Sequence, residues 1–421
     1  MYQKTTLDSG LRIISENMPH TRSVCINIFI GAGSRYEPAD EAGLSHFIEH
    51  LCFKGTQKRA TAREISEAIE GVGGVLNAGT DRELTCYWVK VARQHYPLAL
   101  DVLVDMLRNS RFEPAEIEKE RKVIIEELNR CLDSPQERVD MLIDELVWPD
   151  QALGRDVAGS RETVSKLSRE MALGYLASQY GPSSAVVSVA GNITHDEVVT
   201  SVAEVFAGWP QAAPRPWYPA EGEQALARSR VEPRQTEQAH LCLAVPGLSH
   251  LHPDRFTLDL LNVVLGEGMS SRLFLEVREK RGLAYAVHSF VSHFMDSGAV
   301  TIYAGVDPGH IEGAVGAVLG ELARLRDDKV PELELIKAKE MAKGRMLLGM
   351  EDTMAVARWL GAQELLMGHI RTVDEVLAIV DAIAAEDIQR VASALFVGTK
   401  LNLAVVGPFG GDANLQALLK L

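Results

Sequence analysis

A chain of 421 residues, 46% hydrophobic and 24% charged, has the length and composition of a globular protein of two to three domains with ample material for a core. Its formal net charge of -15 argues against a nucleic-acid partner, which needs a basic face, and fits a solvated acidic surface or a cavity that attracts cations. No apolar run approaches the length of a membrane span, and the five cysteines (Cys25, Cys52, Cys86, Cys131 and Cys242) are scattered with no CxxC pair, so no membrane partner and a reducing compartment are expected.

The opening "MYQKTTLDSGLRIISE" passes straight into strand-like sequence without the pattern of a signal peptide, and a cytoplasmic location is the expectation. "GLRIISENMPHTRSVCINIFIGAGSRYEP" reads as strand, turn, strand, and "GLSHFIEHLCFKGT" follows as a short helix. "TAREISEAIEGVGG" starts with the capping-box pair Thr61 and Glu64, continues with a helical apolar period and ends in glycines. "GGVLNAGTDRELTCYWVKV" alternates and is rich in β-formers, so it reads as strands. "HYPLALDVLVDMLRN" and "PAEIEKERKVIIEELNR" read as helices, the second with Pro114 near its start. "SSAVVSVAGNI" has the unbroken apolar character of a buried strand, and "THDEVVTSVAEVFAGW" is the helix after it. Composition then shifts: "WPQAAPRPWYPAEGEQALARSRVEPRQ" holds five prolines and no clear period, which marks a linker at residues 213–232.

The second half repeats the order of the first. "AHLCLAVPG" answers "SVCINIFIGAG", "DRFTLDLLNVVLG" stands where the short helix stood, and "GAVTIYAGV" then "IEGAVGAVLGELARL" answers "LTCYWVKV" then "YPLALDVLVDML". "TKLNLAVVGPFG" answers "SSAVVSVAGNIT". A shared order of elements over about two hundred residues implies duplication. The fold class expected is α+β: two homologous α/β-sandwich domains, residues 1–212 and 233–421, each an antiparallel-rich sheet covered by helices.

The chemistry-bearing stretch is "GLSHFIEHLCFKGT", with His46, Glu49 and His50 spaced H-x-x-E-H. On a helix, residues three and four apart share a face, so two imidazoles and a carboxylate come together. Histidines at this spacing also serve as core or capping residues, and the second half, with "GLSHLHPDRF", lacks the spacing. A catalytic zinc site takes three protein ligands and leaves one position for water. His46 and His50 supply two, and the third is expected to be a carboxylate from a neighbouring helix, with Glu127 in "ERKVIIEELNR" the best candidate and Glu126 its rival. Glu120 lies two turns before Glu127 on the same helical face, placed to hold a ligand histidine by its other ring nitrogen. Glu49 is expected to be the base that takes a proton from water and passes it to a leaving amine.

These stretches resemble the inverzincin peptidases of the pitrilysin family, peptidase family M16, and are most similar to the short-subunit branch that includes mitochondrial processing peptidase and its bacterial relatives. The likeness covers nearly the whole chain, through "GLSHFIEHLCFKGT", "ERKVIIEEL", "NAGTDRELTCYW", "LGRDVAGSRETVSKL" and "GEGMSSRLFLEVREKRGLAYAV". The interval from His50 to Glu127, 127 − 50 = 77, is the family's usual one and favours Glu127 over Glu126. The resemblance implies one Zn2+ per chain. It implies that Asn77 and Ala78 begin an edge strand that pairs with the substrate backbone. It also implies that Arg278 and Tyr285, from the second half, hold the substrate near the scissile bond, where an arginine grips a peptide carbonyl and a phenol donates to an oxyanion. Heterodimeric relatives divide the zinc set and the Arg–Tyr pair between subunits. Their presence in one chain implies a homodimer that closes like a clamshell on unfolded peptides or leader sequences, each site shared between chains. The alternatives are a non-catalytic scaffold subunit, or a catalytic subunit that needs a different partner.

Overall fold

The computed structural model describes residues 1–410 and 413–421. The fold is α+β, and the chain forms two compact units, each built on one mixed sheet. Unit 1 carries β1 (Gln3–Thr6), β2 (Arg12–Asn17), β3 (Ser23–Ile30), β4 (Val75–Thr80), β5 (Thr85–Ala92) and β6 (Ala185–Gly191), in the order β1-β2-β6-β3-β5-β4. Unit 2 carries β7 (Arg228–Pro233), β8 (Ala239–Pro246), β9 (Ala284–His293), β10 (Gly298–Val306) and β11 (Asn402–Gly407), in the order β7-β11-β8-β10-β9. With β1 set aside, the two orders coincide strand for strand. The β2–β6 pair and the β7–β11 pair are parallel, and the remaining pairs are antiparallel.

The first half also holds α1 (Leu44–Cys52), α2 (Ala62–Glu70), α3 (Tyr96–Asn109), α4 (Pro114–Asp133) and α5 (Pro135–Val147). Thr61 caps α2 by accepting the Glu64 N–H at 3.2 Å, while the Glu64 carboxylate reaches one residue further back than a capping box requires, to the Ala60 N–H at 2.7 Å. The five cysteines are free thiols, with Cys25, Cys52 and Cys242 buried. Among the described residues no helix is long and apolar enough to cross a membrane.

The units interleave along the chain, whereas composition divides it at 212 and 233. Unit 1 comprises Met1–Leu128, Asp156–Tyr218 and Leu348–Ile370; unit 2 comprises Asn129–Arg155, Pro219–Leu347 and Arg371–Leu421. The physical reason is that β3 and β6 are buried on both faces, so the sheet needs two apolar covers. Side chains of Ile26, Ile28, Val187 and Val189 join Phe47, Leu51 and Leu103 on one face. Cys25, Phe29, Val186 and Ala190 join Val356, Ala357 and Leu360 of the helix Thr353–Met367 on the other. In unit 2 the corresponding cover is α5, whose Val139, Leu142 and Ile143 pack with Cys242, Ala244, Ala404 and Val406. Each sheet is thus completed by a helix from the other half of the sequence.

The helix Thr353–Met367 approaches its sheet closely at Gly361, where a Cβ would sit 2.2 Å from the Phe29 ring, itself 1% exposed. Gly361→Ala is therefore expected to lower stability by about 1–3 kcal/mol, because the overpacking outweighs the gain in helix propensity of about 1 kcal/mol. The urea midpoint of the purified variant checks this.

Candidate metal centre

The helix that opens the site is fixed at its first turn. Gly43 precedes α1 with φ +94, and a Cβ there would lie 2.5 Å from the Ala158 carbonyl oxygen, so glycine is required for both conformation and space. The buried Glu37 carboxylate accepts the Gly43 N–H at 2.8 Å and the Ser45 N–H at 2.6 Å. It satisfies two amides that helix geometry leaves without partners, and it places a negative charge at the positive end of the helix dipole. Phe47, Ile48 and Leu51 of α1 are buried in the core, which turns His46, Glu49 and His50 to a half-buried face.

On that face the His46 and His50 rings meet edge-on, with centroids 4.5 Å apart. One ligand atom each from His46, His50 and Glu127 lie within 4.8 Å of one another, and Glu126 is not a member of this group. His50 is held from both sides: its Nδ1–H donates to Glu120 Oε2 at 3.1 Å, and its Nε2 faces Glu127 Oε2 at 3.6 Å. Glu120 and Glu127, seven residues apart, occupy one face of α4. Two donors at ordinary zinc distances around a tetrahedral centre are about 3.4 Å apart, so the His50–Glu127 separation suits a shared ion better than a direct bond. His46 Nδ1 is buried with no hydrogen-bond partner, an unmet polar atom beside the cluster. Burial and the neighbouring His50 push the His46 pKa down to about 4, so near neutral pH its imidazole is uncharged, as a metal ligand must be. Two imidazoles and a carboxylate are the donor chemistry of a zinc site that leaves one position open.

Around these donors the structure adds residues that the motif does not reveal. Lys54 Nζ sits 2.9 Å from Glu120 Oε1. Burial opposes ionisation of Glu120, but the hydrogen bonds from His50 and Lys54 outweigh it and hold its carboxyl below the ordinary range. Glu49 is the reverse case: burial holds its carboxyl above the ordinary range, opposed by a hydrogen bond from Thr80, whose Oγ1 donates to Glu49 Oε2 at 2.5 Å. Sequence reading singled out neither residue; the signals that could have done so are the position of Lys54 four residues after His50 and of Thr80 at the end of the stripe Leu76, Ala78, Thr80 on β4.

Asn77 and Ala78 lie on β4, the edge of the unit 1 sheet, where the Asn77 side-chain oxygen accepts the Ala78 N–H at 2.9 Å. Arg278 and Tyr285 belong to unit 2. Arg278 sits on a turn of π-helix, Phe274–Lys280, and its guanidinium stacks over two rings, Phe274 at 4.8 Å and Tyr285 at 5.0 Å. Tyr285 heads the edge strand β9 and is 76% exposed, so its phenol is accessible. Phe274, four residues before Arg278, is a third member of this cluster that sequence reading did not single out.

Known proteins resemble this chain over nearly its whole length. Residues 12–161 match the family described as Insulinase (Peptidase family M16), and residues 166–342 match the Peptidase M16 inactive domain. An uncharacterized zinc protease of Streptomyces coelicolor is 39% identical over 412 residues, covering 96% of this chain and 89% of that protein.

The chain belongs to peptidase family M16.

A second uncharacterized zinc protease, from Bacillus subtilis, is 37% identical over 417 residues and covers 97% of this chain and 99% of its own. The crystal structure of a protease from Helicobacter pylori shares the fold with a TM-score of 0.91 at 22% identity, covering 97% of this chain and 99% of that one. This M16 chain keeps its metal-type cluster within the segment matched to the first family; the segment matched to the inactive domain carries Arg278 and Tyr285. Replacement of Glu127 by Gln is expected to lower zinc content to a small fraction of wild type, whereas Glu126→Gln leaves it unchanged. Metal analysis of the purified proteins by mass spectrometry separates the two carboxylates.

Proposed function

We propose that this M16 chain is a zinc-dependent endopeptidase that cleaves extended, unfolded peptides or leader segments. The observation that carries the reading is the convergence of His46, His50 and Glu127, with Glu49 close enough to feel the charges of His50 and Glu127. His46, His50 and Glu127 would hold one Zn2+ per chain, with Glu120 orienting His50. Bound there, zinc brings the pKa of a water to about 7 and polarises a carbonyl. Glu49 takes the proton of the attacking water and delivers it to the leaving amide nitrogen. Its burial raises its proton affinity, which suits a group that must hold a proton briefly and then give it up. The β4 edge, with Asn77 and Ala78, pairs with the substrate main chain, which gives affinity with little demand on side-chain identity. Tyr285 donates its phenol proton toward the oxyanion and Arg278 holds a peptide carbonyl.

The complete donor set supports an enzyme over a scaffold subunit, since a scaffold has no use for three converging ligands and a buried carboxylate beside them. The presence of both the metal set and the Arg–Tyr pair in one chain supports a homodimer with an enclosed chamber, each site completed by the second copy.

Three experiments test these proposals. Glu49→Gln is expected to retain zinc and to lose turnover of a mixed peptide library by at least about a hundredfold, the scale of general-base catalysis. A chelator is expected to abolish wild-type cleavage, with products read by mass spectrometry; an unaffected rate refutes the zinc mechanism. For the shared site, Glu49→Gln chains are mixed with Arg278→Ala/Tyr285→Phe chains. Activity is expected to reappear in the mixed dimers, and confirmed mixed dimers that stay inactive place each site within one chain.

A further inference from the structure

Glu49 ends in a torsion with little intrinsic preference, because rotation about a carboxylate bond is soft and roughly two-fold. A base with a mobile head spends much of its time misaimed, and a displacement of about 1 Å in a reacting group can cost on the order of a hundredfold in rate. Something must hold this carboxylate. The group that does so comes from the substrate-facing edge of the sheet, not from α1 or α4: Thr80, the last residue of β4, hydrogen-bonds Glu49 Oε2 at 2.5 Å through its hydroxyl.

The contact is built in from both ends. Along β4, Leu76, Ala78 and Thr80 are half-buried while Val75, Asn77 and Gly79 are exposed, so Thr80 points inward with Leu76 and Ala78, which pack on the core. The turn after Thr80 is gripped by the segment 34–37. Ser34 N–H donates to the Asp81 carbonyl at 3.3 Å, Arg35 N–H to the Arg82 carbonyl at 2.9 Å, and the buried Arg35 guanidinium bonds Glu83 at 2.5 Å. The same segment ends in Glu37, whose carboxylate holds the first turn of α1. One short piece of chain therefore fixes the hairpin that carries Thr80 and the helix that carries Glu49.

We propose that Thr80 is a positioning residue that aims the Glu49 carboxylate and ties it to the register of the β4 edge, so that a peptide paired beside Asn77 and Ala78 is presented to a base already in place. This deepens the peptidase reading and rests on it.

The test uses the full-length, zinc-loaded chain and a quenched fluorescent peptide. Thr80→Val keeps the shape and removes the hydroxyl, and it is expected to lower kcat about 10- to 100-fold with KM unchanged within roughly twofold. Zinc content stays at the wild-type level, and Thr80→Ser restores most of kcat. On a Glu49→Gln background, adding Thr80→Val is expected to change neither residual turnover nor the affinity of a labelled unfolded peptide read by fluorescence anisotropy. A wild-type rate for Thr80→Val overturns the inference alone. So does an effect additive with Glu49→Gln, or a loss of peptide affinity or zinc that accounts for the loss of rate. A wild-type chain that binds zinc and cleaves no peptide overturns the peptidase reading and this inference with it.

Discussion

The site depends on one imidazole held between two carboxylates of a single helix. His50 donates through Nδ1 to Glu120 and turns Nε2 toward Glu127, and the two glutamates stand seven residues apart on α4. Seven residues is close to two turns, so the pair shares one face and brackets the ring. The bond to Glu120 fixes the ring plane and aims the other nitrogen at the cluster. Lys54 steadies Glu120 in turn. Each link limits rotation of the His50 ring.

That bracket requires α1 and α4 to keep their distance within a fraction of an ångström, and the fold supplies this through the core and through Glu37. The core under α1 is continuous with the sheet through Phe47, Ile48 and Leu51. Glu37 ties the start of α1 to the loop after β3, and Arg35 ties the same loop to the hairpin turn beyond β4. Rigid elements therefore carry every group of the cluster, and the polar contacts that aim them are buried or half-buried, where a hydrogen bond is harder to lose to water.

The exchange of helices gives the two sheets their second cover. A strand such as β6, buried at all seven positions, has no face that tolerates solvent. The helix Thr353–Met367 and α5 meet this need from the opposite halves of the chain, so neither half of the sequence is by itself a closed core. A duplication that places the same helix in the same position of each repeat makes the exchange reciprocal.

Much of this was legible in the residues. The unbroken apolar run at 185–191 and the alternation at 85–92 announced β6 and β5, and the repeated order of elements announced a second sheet like the first. The spacing of His46, Glu49 and His50 set them on one face, because a helix allows no other arrangement of residues three and four apart. What the sequence could not say is which side chains meet across elements far apart along the chain. The family interval already favoured Glu127 over Glu126; the physical reason, the rotation of α4 about its axis set by the core residues Ile117, Ile124 and Leu128, is tertiary. The Thr80–Glu49 bond, the Lys54–Glu120 contact, the stacking of Arg278 on Phe274 and the exchange of helices are tertiary in the same sense. Local periodicity by itself determined the elements, their repeat and the face on which the H-x-x-E-H groups lie; packing decided their partners, because contacts between elements depend on three-dimensional registers that no one-dimensional spacing encodes.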